Sequence, residues 1–201
     1  MEVEVRRLGL VEYDAAWALQ RELAAKATAD RGFLLLLEHP PVITLGRNAD
    51  SRNVLDAGPV PVRRIDRGGD VTWHGPGQLV GYPILDVRRW GARRYVEGLE
   101  RSVVDVCRRF GVEARRKPGC VGVWAAGGKI ASVGVRIARG VSMHGFALNV
   151  GGDLSGFARI HPCGVPSCAV TSISRERGIE TAVEAVAEAF RLRFVGPVLR
   201  S

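Results

Sequence analysis

Apolar positions open the chain at a strand's period, change to a helix's, and then merge into a continuous run. Val3 and Val5 alternate with charged residues, as in a half-exposed strand. Asp14 is placed to cap a helix carrying Trp17, Gln20, Leu23, Ala24 and Ala27 near one face, with Gly32 as its stop. Phe33 to Leu37 is apolar at every position, which fits a strand buried on both faces. Pro40-Pro41 turns the chain into a further strand over 42–45, and Val60 to Ile65 and Leu79 to Leu85 read as two more. From about Arg94 a helix is predicted, with Tyr95, Leu99, Val103, Val106 and Phe110 on one face and Gly111 as its stop. Residues 112–150 are β-branched, alternating and broken by glycines, which predicts two or three antiparallel strands. A capping box, Thr181 to Glu184, opens a last helix with Val183, Val186, Ala187, Phe190 and Phe194 on its stripe. With no repeat and no linker, the pattern predicts a single domain over 1–201 of α+β class. Its sheet is mixed but largely antiparallel, flanked by about three helices.

Composition narrows the class. At 46% hydrophobic and 25% charged residues the chain is ordinary for a globular protein. No apolar run approaches the roughly 18 residues of a membrane span. Charges at Glu2, Glu4, Arg6 and Arg7 stand where a signal peptide would be apolar. Four cysteines without an even framework do not read as a disulfide scaffold, so the expected location is the cytoplasm. The net charge of +8 favours an acidic partner. Nucleic acid is one such partner and a small acidic protein another. Neither a ribonucleoprotein motif nor a helix-turn-helix pattern supports the first.

Three segments carry candidate chemistry. Arg67-Gly68-Gly69-Asp70-Val71-Thr72-Trp73-His74-Gly75-Pro76-Gly77-Gln78 holds four glycines in twelve residues, letting backbone approach a ligand closely. It fits neither the P-loop nor the Rossmann spacing, and a tight loop between strands is its plainer reading. In Gly127 to Val135, a regular strand puts Lys129 on one face with Ala131, Val133 and Val135. An ammonium there costs free energy unless it is paired or deprotonated; alternatively its stem packs and its head reaches water. In the third segment Cys163 lies between Pro162 and Gly164, on a loop, whereas Cys107 falls on a helix stripe and reads as a buried small hydrophobe. A zinc site of His161, Cys163 and Cys168 matches no common ligand spacing, and a disulfide between Cys163 and Cys168 is out of place in a reducing compartment. His144 alternates with Phe146, Leu148 and Val150, so it is either a core histidine or a pocket companion of His74.

Taken in order, these segments resemble the octanoyltransferase family of lipoate biosynthesis, within the superfamily of lipoate and biotin protein ligases. The resemblance runs through Thr44-Leu45-Gly46-Arg47, Arg67 to Gln78, Tyr82-Pro83, Gly128 to Gly134, His144 to Val150, Pro162-Cys163-Gly164 and Val170-Thr171-Ser172. Trp73 stands where tyrosine is more usual, and Cys168 has no counterpart. The resemblance implies transfer of an octanoyl or lipoyl group from acyl carrier protein to a lysine of a lipoyl domain or of the glycine-cleavage H protein. Both partners are typically acidic, consistent with +8. It implies a Cys163–Lys129 catalytic dyad with neither cofactor nor metal. It further implies a substrate pocket from Arg67, Gly68, Gly69, Thr72, His74, Gly75, Gly77 and Gln78, with Ser132, Val133, Gly134, His144, Gly145, Phe146, Ala147 and Asn149. Two other readings compete: an ATP-dependent ligase that needs no cysteine, and a non-catalytic binding module.

Overall fold

The apolar run at 33–37 organises the molecule. A computed structural model describes residues 1–195, with side chains through 192. In it, β2 (Arg31–Glu38) buries Phe33 through Leu37 completely or nearly so. Strand period sends Phe33, Leu35 and Leu37 to one side and Leu34 and Leu36 to the other. On the first side they meet Ala16 and Leu23 of α1 (Tyr13–Ala24). On the second they join a cluster shared with α2 (Gly91–Arg109) and α4 (Val183–Val195). The strand therefore lies in a middle layer between two helical layers, and needs to be apolar throughout.

That layer has seven strands. Its order is β1 (Glu2–Leu10), β2, β6 (Gln78–Ile84), β10 (Val141–Asn149), β9 (Gly128–Ala138), β8 (Cys120–Ala125) and β7 (Arg115–Lys117). Only β1 and β2 pair in parallel. A second sheet runs β4 (Val62–Arg64), β3 (Val42–Leu45), β5 (Val71–His74), with β3–β4 parallel and β3–β5 antiparallel. Ile43, Leu45, Val71 and Trp73 of this sheet pack on Leu154, Phe157 and Ile160. The predicted α+β class with a mixed, largely antiparallel sheet is the class observed.

Several predicted details differ. Asp14 lies inside the first turn of α1, favourable for the helix dipole, while the cap position is Glu12. Gly32 does not end α1, which stops at Ala24; it lies in β2, where a Cβ would come within 2.4 Å of Leu85. The strand predicted over 60–65 shrinks to three exposed residues. Residues 112–150 form four strands, the extra one being β7, whose three exposed cations carry no apolar signal. A fourth, five-residue helix, α3 (Ile173–Arg177), is capped by Ser172, whose Oγ accepts from the backbone of Arg175. The Thr181 hydroxyl serves Arg177 Nη1 rather than the backbone of α4. Phe194 lies outside the residues whose side chains are described.

Candidate active site

The Gly-rich segment enters β5 from the turn at 67–70, wedged between β3 and β9. A Cβ on Gly46 would lie 2.3 Å from the Gly69 carbonyl oxygen, and one on Gly134 2.9 Å from that of Gly68. Such proximity requires glycine at both facing positions, Gly46 just past β3 and Gly134 within β9. Arg67 is buried and fastened inward: Nη2 donates to the Thr44 carbonyl (2.9 Å) and hydroxyl (3.0 Å), and Nη1 to the Gly68 carbonyl (3.0 Å).

Between this segment and strands β9 and β10 opens a cleft of about 460 Å³, mouth included. Three of the chain's four histidines gather with Tyr13 and Tyr82 at its buried end. His74 Nδ1 lies 2.7 Å from Gln78 Oε1. The Gln78 amide donates to Trp73 O and Asn149 Oδ1, so its oxygen accepts from His74. His39 Nδ1 lies 2.6 Å from the Val11 carbonyl and must donate, leaving Nε2 to accept from the Tyr82 hydroxyl at 2.7 Å. His144 Nε2 faces the Asp66 carboxylate at 2.8 Å. Burial pushes all three histidines below the ordinary imidazole range, His39 to about 4. The same burial raises both tyrosines. The imidazole and phenol groups at this end are thus neutral, with the Asp66 carboxylate and the Arg67 guanidinium beside them.

His144 settles an open alternative. Its φ of 56° breaks the alternation of β10, and the ring turns towards Tyr13, Trp17 and Tyr82 beside α1. Phe146, Leu148 and Val150 join the opposite cluster. It lines the cleft together with His74.

At the open end stand Lys129 and Cys163. Lys129, at the start of β9, is 3% exposed; its Nζ donates to Cys163 Sγ at 2.7 Å and to the Val121 carbonyl at 3.2 Å. Its backbone is bound to residues 169 and 171 on either side. Cys163 is exposed, in a tight turn with φ 58° and ψ 25°. The turn closes through Gly164 N–H to His161 O and Val165 N–H to Pro162 O. Behind it, Asp70 Oδ2 accepts from Asn53 Nδ2 at 3.0 Å and lies 2.7 Å from where a Cβ on Gly164 would fall. Cys107 is fully buried and its thiol is pushed up to about 12 by desolvation, as expected of a core thiol.

The structure divides the residues singled out from sequence. Arg67, Gly69, Thr72, His74, Ser132, Val133, Gly134, His144, Gly145, Phe146, Ala147 and Cys163 line the cleft. Gly68, Gly75, Gly77, Gln78 and Asn149 do not. Gly68 bonds to β9 through Val135 O, and the Gly77 carbonyl receives the N–H groups of Val150 and Gly151. Gln78 and Asn149 brace His74 and the Thr171 carbonyl. Gly75 has room only for hydrogen, with the Trp73 ring 2.3 Å from its would-be Cβ. Tyr13, Asp70, Val71 and Tyr82 line the cleft without having been singled out. Asp70 and Val71 lie within the Gly-rich segment and Tyr82 within the Tyr82-Pro83 pair that carries the resemblance, while nothing in the sequence marked Tyr13. Among the described residues, no group of three or more His, Cys, Asp or Glu side chains is placed to hold a metal ion.

Known proteins match this arrangement at two levels. An octanoyltransferase of Geobacter sulfurreducens is 51% identical over 94% of this chain and 82% of its own length. One of Geobacter metallireducens is 52% identical over 85% and 81%. The fold is that of a lipoate-protein ligase A solved with ATP, with a TM-score of 0.82 at 17% identity, covering 96% of this chain and 84% of that one. A family model, the lipoyl protein ligase A/B catalytic domain, matches residues 12–195. The chain thus belongs to the lipoyl protein ligase A/B catalytic-domain family and, within it, to the octanoyltransferases.

Proposed function

We propose that the protein moves an octanoyl group from acyl carrier protein to a lysine of a lipoyl domain or of the glycine-cleavage H protein, through a thioester on Cys163. The observation that carries this is the 2.7 Å contact between Lys129 Nζ and Cys163 Sγ at the mouth of a closed-ended cleft. Lys129 takes the thiol proton, and the Cys163 sulfur attacks the donor carbonyl. The carrier leaves as a thiol with that proton. The acceptor amine then attacks the Cys163 thioester, Lys129 removes the amine proton, and Cys163 departs with it.

Protonation favours this order. An ordinary lysine is neutral about once in a few thousand molecules at pH 7, a cost of roughly 4–5 kcal/mol. A free thiol costs only about 2 kcal/mol and is the better nucleophile. Exchange of one thioester for another keeps the acyl group activated, so no ATP is required.

The cleft supplies the rest. Val71, Val133, Phe146 and Ala147 offer apolar lining to the chain. Thr72 Oγ1 is buried without a partner among the described residues and lines the cleft, a hydroxyl available to the substrate. The Gly164 N–H is already taken by His161 O and that of Gly68 by Val135 O. The Cys163 N–H, which neither of these bonds uses, is the proposed donor to the tetrahedral oxyanion.

The test is intact mass after mixing the protein with octanoyl-loaded acyl carrier protein, without ATP. One octanoyl group on Cys163, discharged by a lipoyl domain and absent from Cys163→Ala, is the expected result. Modification of the acceptor only with ATP and free acid would instead make the chain a ligase.

A further inference from the structure

The β7–β8 hairpin abuts the reacting pair. Its Val121 carbonyl accepts from Lys129 Nζ, and a Cβ on Gly122 would come within 2.7 Å of Lys129 Cε. Residues 115–125 hold three cations and no carboxylate. Of the three, Arg116 is neutralised by Glu100 at 2.6 Å and Glu97 at 3.7 Å, on the α2 side. Arg115 and Lys117 make no ion pair among the described residues, and both are exposed. Lys117 Nζ lies 3.9 Å from the centre of the Trp124 ring, over which Lys129 Nζ also lies at 5.6 Å. Lys117, Trp124 and Lys129 therefore form a row leading from the sheet edge to Cys163. Val121, 53% exposed at the same hairpin, adds an apolar contact.

We propose that this hairpin is the docking surface for the acidic carrier protein that delivers the acyl thioester, with Arg115 and Lys117 as the charges that receive it. The proposal rests on the transfer reaction proposed above. Two unneutralised cations beside an exposed nucleophile raise the local concentration of an acidic partner and orient its pendant thioester. Neither residue touches the reacting atoms, but Lys117 shares the Trp124 ring with Lys129, so a neutral donor is needed to separate encounter from chemistry.

The experiment measures the rate of Cys163 acylation for the wild type, Arg115→Glu and Arg115→Glu/Lys117→Glu. Two donors are used: an acyl carrier protein thioester and the neutral octanoyl thioester of N-acetylcysteamine. The expected result is a roughly tenfold higher KM for the carrier in the double variant, with the neutral donor unchanged. Salt should weaken the wild type towards the variant. An unchanged KM for the carrier would overturn the proposal. So would equal slowing with the neutral donor, which would mean a damaged site, and a single Arg115→Glu variant that raised the KM as far as the double one would overturn the part given to Lys117. A defect confined to discharge onto a lipoyl domain would overturn it too and give the hairpin to the acceptor. Failure of the wild type to be acylated by either donor would instead defeat the transfer reading itself.

Discussion

The buried end of the cleft and its mouth each hold a non-glycine residue at positive φ, and the two are secured very differently. His144, at φ 56°, is held through its backbone N–H by Gln20 Oε1 at 2.7 Å and through its ring by Asp66 at 2.8 Å, with Tyr13 near its other nitrogen. Cys163, at φ 58°, has Lys129 as its one side-chain hydrogen-bond partner among the described residues and is exposed. Such conformations cost about 1–3 kcal/mol, and surrounding structure has to impose them. At the buried end that structure is a hydrogen-bonded group of neutral rings anchored on Gln20 and Asp66. At the mouth it is a short turn backed by Asp70 and Asn53. The sulfur is thus left free to change partners during a reaction, while the closed end keeps its shape whatever passes at the mouth.

If that division holds, substitutions at the mouth remove rate and those at the buried end remove stability. The largest effect belongs to Lys129→Ala. Loss of a positioned acid–base group should slow both acylation and discharge by about 10²–10⁴-fold. Cys163 alkylation by a small reagent and single-turnover mass spectrometry would measure it. An unchanged rate would remove Lys129 from the proposed mechanism and erase the contrast.

The mouth was the part most legible from sequence. Pro162 and Gly164 mark Cys163 as a loop residue, and an isolated cation on the apolar face of a strand asks for a partner. The buried end was not. Tyr13, His39 and Tyr82 lie on element faces where a ring reads as core, and only the tertiary fold shows their polar atoms meeting. Gly75, Gly77, Gln78 and Asn149 share their segments with cleft residues, but lie beneath the cleft as its support. Strand β7 escaped notice because its Arg115-Arg116-Lys117 sequence has no buried face at all.

The second effect is on stability with pH. Desolvation keeps His39, His74 and His144 neutral in the folded chain below their ordinary range. Unfolded, each binds a proton near pH 6.5. The unfolded state therefore takes up more protons as pH falls, and stability drops below about pH 6.5, for His39 until about 4. His39 contributes up to about 1.4 kcal/mol per pH unit in that window, and His74 and His144 act in the same direction. Thermal melts at pH 7.5 and 5.5 should differ by many degrees. Equal melting temperatures would show that the three histidines are not held neutral by burial.

A smaller loss is expected for Tyr82→Phe. It removes the hydroxyl that His39 Nε2 accepts from and leaves a buried acceptor unpaired, at a cost of about 1–3 kcal/mol. Denaturant unfolding should record that loss, while acylation of Cys163 by a short acetyl thioester, which does not reach the buried end, stays within about twofold. A large fall in that rate without loss of stability would move Tyr82 from support to chemistry.

The smallest effect sharpens the contrast most, because it comes from the mouth without touching the reacting pair. Asn53 Nδ2 donates to Asp70 Oδ2, and both atoms stand against Gly164, one residue from the sulfur. Asn53→Ala keeps the backbone carbonyl that accepts the His161 N–H, so the loop remains attached, but the wall behind the turn loses a hydrogen bond. A bond of this kind is worth about 0.5–1.5 kcal/mol. Some of that should appear as looser placement of Cys163: a fall of roughly two- to tenfold in the maximal acylation rate, with KM for a neutral thioester and the pH profile unchanged. The melting temperature should fall by no more than about 6 °C. A reduced melting temperature with an undiminished rate would mean that Asn53 and Asp70 support the fold alone, and that the Cys163 turn is set by its own Pro162 and Gly164.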